Sequence, residues 1–325
     1  MLNGIMTTST INKLRQIIRR ELDPIIGKNT ILLDCPYHIN IGDTLIWQGE
    51  LDFLNALGKD PIFQSSLFTF TFPKITKDIT ICLHGGGNFG DLYRCAQDFR
   101  LQVIERYPDN KIVMFPQSVW YKDKNLIEVD ANIFSKHKNL YLCARDIESY
   151  EFMKKYFSSN NILLVPDMAF FINRDLFEKK QQIQSGIERS VLIKRLDPEL
   201  VRKDYTGFSV DEIRDWPTFE KIPLVFKVLE KITVLLIRFP QLRSFMGRPI
   251  DYVVQNHLKC KLLKKGIEFL SSFNVIYTTR LHAMILGVML DKKKIIGLDN
   301  ISGKLSAYYN SWLKDNDNVT IQKII

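Results

Sequence analysis

The stretch "ICLHGGGNFGDLY", residues 81–93, runs from a short apolar strand into glycines. Gly85, Gly87 and Gly90 satisfy the spacing G-x-G-x-x-G. Such a spacing reads as a dinucleotide-binding turn, as another anion cradle, or as a plain tight turn. A dinucleotide turn needs an acid at the end of the next strand, to hold a ribose hydroxyl. The next apolar run, "KIVMFPQS" (111–118), places Pro116 and Gln117 there instead. No Lys-Ser or Lys-Thr follows the glycines, so the P-loop pattern fails as well. What remains is a backbone that a ligand can approach without Cβ atoms in the way. His84 ends the strand, Asn88 and Asp91 follow, and a helix is expected near 92–106. The bland reading of the same residues is a structural turn beside a satisfied core histidine.

Working outward, short apolar runs alternate with helical patterns. "TILLDC" (30–35) precedes "DTLIWQGELDFLNALG" (43–58), where Gly58 suits the position after a helix end. "ITICLH" (79–84), "KIVMFP" (111–116), "LYLCAR" (140–145) and "NILLVPD" (161–167) continue the series, and Asp146 is placed to cap the helix 146–157. A second set begins at "RSVLIKR" (189–195) and resumes at "NVIYTT" (274–279), a helix from Leu281, and "KKKIIGL" (292–298). This alternation predicts an α/β fold with parallel sheets. Two Rossmann-like domains facing across a cleft are expected: 1–175, then 188–305, with a tail at 306–325 packing back on the first. The polar segment 174–188 is the linker candidate.

The composition, 46% hydrophobic with a mean hydropathy of -0.08, fits a soluble protein with a large core. No uncharged apolar run is long enough to span a bilayer, and the N-terminus lacks a signal-peptide layout. A basic amphipathic helix is expected over 9–22. Five cysteines, odd in number and without C-x-x-C, read as free thiols in a reducing cytoplasm, with Cys35, Cys82 and Cys143 in the core. No zinc site is expected. The net charge of +9 suits an anionic partner. Its dispersion, without a nucleic-acid-reading motif, argues against nucleic acid. Residues 220–248 mix Leu, Val, Ile and Phe with Lys221, Lys227, Lys231, Arg238, Arg243 and Arg248. The first expectation is a buried helix pair; the sharper one is a surface that docks on anionic membrane.

"TTRLHAMILGVML" (278–290) repeats the strand-to-helix layout in the second half, with Arg280 and His282 entering the helix. Free N–H groups and the positive end of the helix dipole favour an anion there. Arg145 is a third cation at a strand end. His38, in "PYHINIGD", is a weaker candidate; His137 and His257 read as surface residues.

The pieces "NIGDTLIWQGE", "LHGGGNFGD", "CARDIESYEF", "VPDMAFF", "TTRLHAMILG" and "GLDNISGKLSAYY" together resemble the polysaccharide pyruvyl transferase family, in the family's order over 40–309. The resemblance implies a fold like the two-domain GT-B glycosyltransferases. It implies transfer of the pyruvyl group of phosphoenolpyruvate to a sugar of a bacterial surface polysaccharide or capsule, as a ketal, with release of phosphate. The first domain would then be the acceptor side and the second the phosphoenolpyruvate side. Arg145, Leu281 and His282 match donor-binding positions, and His84 matches a histidine near the acceptor. Arg280 and Lys304 add cations that a carboxylate and a phosphate need. His282 and His84 are the candidates for proton transfer. Gly85, Gly86, Asn88, Asp91, Asp43 and His38 complete the acceptor side. Neither cofactor nor metal is expected. The acceptor would be a saccharide on an undecaprenyl diphosphate, and the protein cytoplasmic, peripheral at the inner membrane face. Residues 196–260 carry no family motif, and "PDMAF" departs from the commoner Pro-Asp-Pro, so the acceptor sugar stays open. Two other readings stand: a nucleotide-sugar glycosyltransferase, with Glu268 as its acid by position only, and a non-catalytic glycan-binding subunit.

Overall fold

The computed structural model describes residues 2–178, 188–195, 208–299 and 303–322. Most of the expected linker, and residues 300–302 of the last quoted motif, lie outside them. Seven strands form the first sheet: β1 (Asn29–Leu33), β2 (Pro61–Ser65), β3 (Ile79–Leu83), β4 (Gly86–Gly90), β5 (Ile112–Trp120), β6 (Leu140–Ala144) and β7 (Asn161–Leu164). Their order is β2-β1-β3-β5-β6-β7, with β4 on β5. Five more form the second: β8 (Ser190–Ile193), β9 (Glu212–Arg214), β10 (Val275–Thr278), β11 (Lys294–Leu298) and β12 (Val319–Gln322), in the order β12-β11-β10-β8-β9. Every pairing is parallel. The α/β expectation therefore holds. The edge strands β2, β9 and β12 had no counterpart in it, being short and too polar to stand out.

The order fixes where a ligand can sit. From β1 the chain steps outward to β2 and then back to β3 on the other side. From β8 it steps to β9 and then back to β10. Each reversal opens a crevice beyond the strands' carboxyl ends. His84 follows β3 and Arg280 follows β10, so both lie at these switch points.

Alternating strand residues bury both faces of the first sheet. Ile31, Leu33, Ile81, Leu83, Met114 and Leu142 join one apolar cluster. Leu32, Cys82, Val113 and Cys143 join another, which runs on into Val191, Ile193, Ile276 and Ile295 of the second sheet. The helices Ile41–Ala56 and Leu281–Met289 carry that continuity, through Leu45, Ile46, Ala283 and Met284 among others. The N-terminal helix spans Leu2–Leu22, longer than expected. It buries Ile11, Leu14, Ile18 and Leu22, while Arg15 donates to the Phe170 and Ile172 carbonyls.

Three expectations change. The glycine stretch is not a turn opening directly onto a helix. Residues Gly86–Gly90 form β4, and the next helix, Arg94–Arg106, starts four residues later. Gly90 permits this, with φ 115° and room for no Cβ: one would lie 2.0 Å from the Trp120 carbonyl oxygen. His137 is buried, with Nε2 3.1 Å from the Tyr107 carbonyl oxygen, and burial lowers its proton affinity. Residues 220–248 are not a buried pair. The helix Leu224–Arg238 buries only Phe226, Leu229, Thr233 and Leu236.

Candidate active site

The site is built on the carboxyl ends of β3, β5, β6 and β7, on the helix Ile41–Ala56, and on the start of the helix Leu281–Met289. Arg145 follows β6 and is almost fully buried. Its Nε donates to Ser118 Oγ at 2.8 Å, and its Nη1 donates to Asp167 Oδ2 at 2.9 Å. Ser118 Oγ donates in turn to Asp146 Oδ2 at 2.6 Å, and Asp146 also caps its helix by accepting from the Ser149 N–H. Trp312 Nε1 bonds the Arg145 carbonyl at 2.7 Å, so the C-terminal region braces this arginine.

Asp167, after β7, is the hub. His282 Nε2 lies 3.3 Å from the same Oδ2 that Arg145 holds. The Asp167 N–H donates to the Tyr308 hydroxyl at 3.1 Å, and its Oδ1 accepts from the Ala169 N–H at 3.0 Å. Burial by itself raises a carboxyl's pKa, but His282 and Arg145 outweigh it and hold Asp167 well below the usual carboxylate range.

The glycines let the cations close in. A Cβ on Gly87 would fall 2.9 Å from Arg145 Nη2 and 3.3 Å from Lys304 Nζ. Lys304 Nζ also donates to the Gly87 carbonyl at 3.3 Å. A Cβ on Gly42 would fall 2.5 Å from His282 Nδ1. Arg145, Lys304 and His282 thus meet around two backbone positions that carry no side chain. Asp43, one residue after Gly42, is close enough to Gly86 that a Cβ there would lie 3.8 Å from its Oδ1. Burial raises the Asp43 pKa, but the charges of His38, His282, His84 and Arg145 bring it below the ordinary value. His38 is half exposed, with Nε2 3.5 Å from Asp43 Oδ2.

Beside this lies a second buried pair. His84 Nδ1 is 2.8 Å from Glu50 Oε2, and the Gly85 N–H donates to Glu50 Oε1 at 2.8 Å. Burial pushes Glu50 up, while the Glu50 charge outweighs burial at His84 and raises its proton affinity. His84 Nε2 is buried and has no hydrogen-bond partner among the described residues. Gln117 Nε2 fixes the His84 carbonyl at 2.7 Å.

Other expected site residues are occupied differently. Arg280 is buried and held by Asp215 through both Nε and Nη2, the latter at 2.6 Å, with its guanidinium 4.5 Å from the Phe219 ring centroid. Leu281 is a buried core residue at the first helical position. Asn88 accepts from Arg100 Nη2 at 2.7 Å, and Arg100 also pairs with Asp34 at 2.7 Å. Asp91 accepts the backbone N–H groups of Lys122 and Asp123. Glu268 is exposed on the helix Lys259–Ser271. Among the described residues no group of three or more His, Cys, Asp or Glu is arranged to hold a metal ion.

Glu50 and Asp167 are the residues that the sequence reading missed. Each left a signal: Glu50 is an acid on the apolar side of its helix, among Ile46, Trp47, Phe53 and Leu54, and Asp167 is an acid just past a strand end.

The family model for polysaccharide pyruvyl transferase matches residues 40–298. The chain belongs to that family. The matched span holds Gly42, Glu50, His84, Arg145, Asp167 and His282, so the constellation above is the family region of this pyruvyl transferase homologue; Lys304 and Tyr308 lie beyond it. A Bacillus subtilis protein named "Putative pyruvyl transferase EpsO" is 31% identical over 306 residues, covering 93% of this chain and 91% of that protein. "Pyruvyl transferase 1" of Schizosaccharomyces pombe is 30% identical over 298 residues, covering 88% of this chain and 70% of that one. The crystal structure of a functionally uncharacterized Klebsiella pneumoniae protein superposes with a TM-score of 0.62 at 17% identity, over 95% of this chain and 98% of that one. That likeness concerns the fold alone.

Proposed function

We propose that the protein transfers the pyruvyl group of phosphoenolpyruvate to two hydroxyls of a sugar, forming a ketal and releasing phosphate. The donor is held between two Rossmann-like halves, 1–175 on the acceptor side and 188–305 on the donor side, the latter completed by β12 from the tail that was expected to pack on the first half. The single observation that carries this reading is the convergence of Arg145 Nη2 and Lys304 Nζ on Gly87, with His282 sharing the Asp167 oxygen that Arg145 binds. A carboxylate and a phosphate on one small frame need such clustered cations. Arg145 and Lys304 receive those charges, and the first amides of the helix from Leu281 add dipole and N–H groups. Arg280, committed to Asp215, shapes that helix start.

The proton steps follow from the two histidines. His282, held by the Asp167 carboxylate, gives a proton to the CH₂ carbon, which becomes the methyl group, and C2 becomes electrophilic. The first sugar hydroxyl attacks C2 and loses its proton to His84 Nε2, whose imidazolium Glu50 stabilises. The second hydroxyl then displaces phosphate, which leaves with the remaining proton. Asp43 and His38 border the acceptor. The acceptor we favour is a lipid-diphosphate-linked intermediate of a surface polysaccharide or capsule.

The test is to incubate the protein with phosphoenolpyruvate and lipid-linked saccharides. Phosphate and pyruvyl-ketal product are expected in equal amounts, the product identified by mass and by its ketal methyl resonance. Consumption of a nucleotide sugar, with phosphoenolpyruvate untouched, overturns the reading.

A further inference from the structure

Three rows run along the helix Leu224–Arg238, beside the exposed Val234 and Ile237. Phe226, Leu229, Thr233 and Leu236 face the protein. Leu224, Val228 and Leu235 are exposed, Leu224 to 75%. Lys227, Lys231 and Arg238, with the same spacing of four and seven, are also exposed. Residues three and four apart are neighbours on a helix. Lys227 therefore flanks Leu224, Lys231 flanks Val228 and Leu235, and Arg238 flanks Leu235. The exposed apolar row is bordered along its whole length by cations. After the turn Pro240–Leu242, Arg243 Nε donates to the Leu236 carbonyl at 3.3 Å. The next helix, Arg243–Val253, places Phe245, 80% exposed, with Arg248 and Tyr252 on one face. Between Lys221 and Arg248 the chain has Glu230 as its single acid.

We propose that this face docks the protein reversibly on an anionic lipid surface. An apolar row alone fits a protein partner, and a cationic row alone fits any anion. The two side by side on one helix fit the bilayer interface. There the acyl boundary takes apolar side chains, and anionic headgroups take Lys and Arg. The lysine stems add apolar contact while their ammonium groups reach outward. No helix among the described residues is long and apolar enough to cross a membrane. The surface stands on its own geometry and holds whether or not the transfer reaction is as proposed.

The test is sedimentation of the full chain with vesicles of mixed phosphatidylglycerol and phosphatidylcholine, and with phosphatidylcholine alone. The protein is expected to pellet with the mixed vesicles at low salt, to release at high salt, and to ignore phosphatidylcholine. In Lys227→Gln/Lys231→Gln/Arg238→Gln the partition should fall about a hundredfold, each charge counting about fivefold. Leu224→Ser/Leu235→Ser should weaken it at least tenfold. All five side chains are exposed, and an unchanged thermal unfolding curve confirms that each variant is folded. Turnover of phosphoenolpyruvate with a water-soluble acceptor, without vesicles, should be equal in wild type and variants, which separates docking from catalysis. A wild type that stays in the supernatant at low salt overturns the proposal, as does a charge variant that pellets like wild type. A dimer in solution that Leu224→Ser/Leu235→Ser dissociates also overturns it, making the face a self-interface.

Discussion

Arg145 and His282 bind one and the same oxygen, Oδ2 of Asp167, at 2.9 and 3.3 Å. The first follows β6 and the second begins a helix of the other half of the chain, so this carboxylate ties the two halves together electrostatically. Asp167→Asn leaves Arg145 buried with its charge uncompensated, and a loss of about 3–5 kcal/mol in unfolding free energy is expected. The folded pKa of Asp167 is depressed, so its stabilisation is present above the ordinary value of 3.8 and fades as pH falls through and below it. Urea unfolding at several pH values should show the full difference between wild type and variant near neutrality. The difference should shrink only below that ordinary value. A gap that closes already near neutral pH would mean that Asp167 is not the depressed group.

Gly42→Ala tests His282 without touching it. The added Cβ would lie 2.5 Å from Nδ1, 2.8 Å from Cγ and 3.0 Å from Cβ of His282, so the whole side chain must shift, while the helix gains a better helix former. The kcat should drop about 10²- to 10⁴-fold, the scale of a positioned acid or base, in a protein that still unfolds cooperatively. Gly49→Ala is the contrast. Its Cβ would sit 1.8 Å from the Met168 carbonyl oxygen, a backbone atom that cannot step aside, and loss of folded protein is expected. Unchanged kcat in Gly42→Ala would remove His282 from the chemistry.

Lys304→Met and Gly87→Ala should both weaken phosphoenolpyruvate binding. The first removes a charge-assisted contact worth about 1.5–3 kcal/mol, or roughly ten- to a hundredfold in Kd. The second pushes apart the Arg145 and Lys304 side-chain ends, which stand 2.9 and 3.3 Å from the new methyl group. Isothermal titration with phosphoenolpyruvate measures both. Wild-type affinity in the two variants would place the anion elsewhere.

Glu50→Gln should move the pH profile. Burial disfavours the charged His84 ring, but Glu50 outweighs it and lifts the pKa above 6.5. A base works unprotonated, so kcat/KM should rise with pH through that elevated value. Without the Glu50 charge, burial prevails, and the acidic limb should shift to lower pH as kcat falls. An acidic limb that stays put would show that His84 is not the titrating base.

Arg280→Ala is expected to cost stability as well as activity. Its partner Asp215 is buried and would lose both guanidinium contacts, for about 3–5 kcal/mol. Arg280→Ala/Asp215→Ala should recover much of that loss in chemical denaturation. Activity restored in the double variant would assign Arg280 a purely structural part.

The alternation of buried apolar runs with helical patterns was enough to define parallel α/β architecture, because strands covered on both faces must be apolar throughout. The glycines, Arg145, His282 and Lys304 were equally legible, since each sits at a strand end or helix start where the chain pattern changes. Spacing alone placed Arg280 among the anion-binding groups, Asn88 and Asp91 on the acceptor side, and His137 on the surface. It could not show that Asp215, Arg100, the Lys122 amide and the Tyr107 carbonyl engage them.

What the sequence determined by itself is the periodicity, and with it the two sheets, the buried thiols and the positions that must lack a side chain. What only the tertiary structure decided is pairing across long separations. Glu50 with His84, Asp167 with both Arg145 and His282, and Lys304 with Gly87 join residues from different strands and helices. Periodicity is a local property of the backbone, set within a few residues. The partner of a buried charge is chosen by which elements the packed core brings within hydrogen-bond reach. The same reason accounts for the helix Leu224–Arg238: its sequence is apolar enough for burial, and only the packing leaves one apolar row outside.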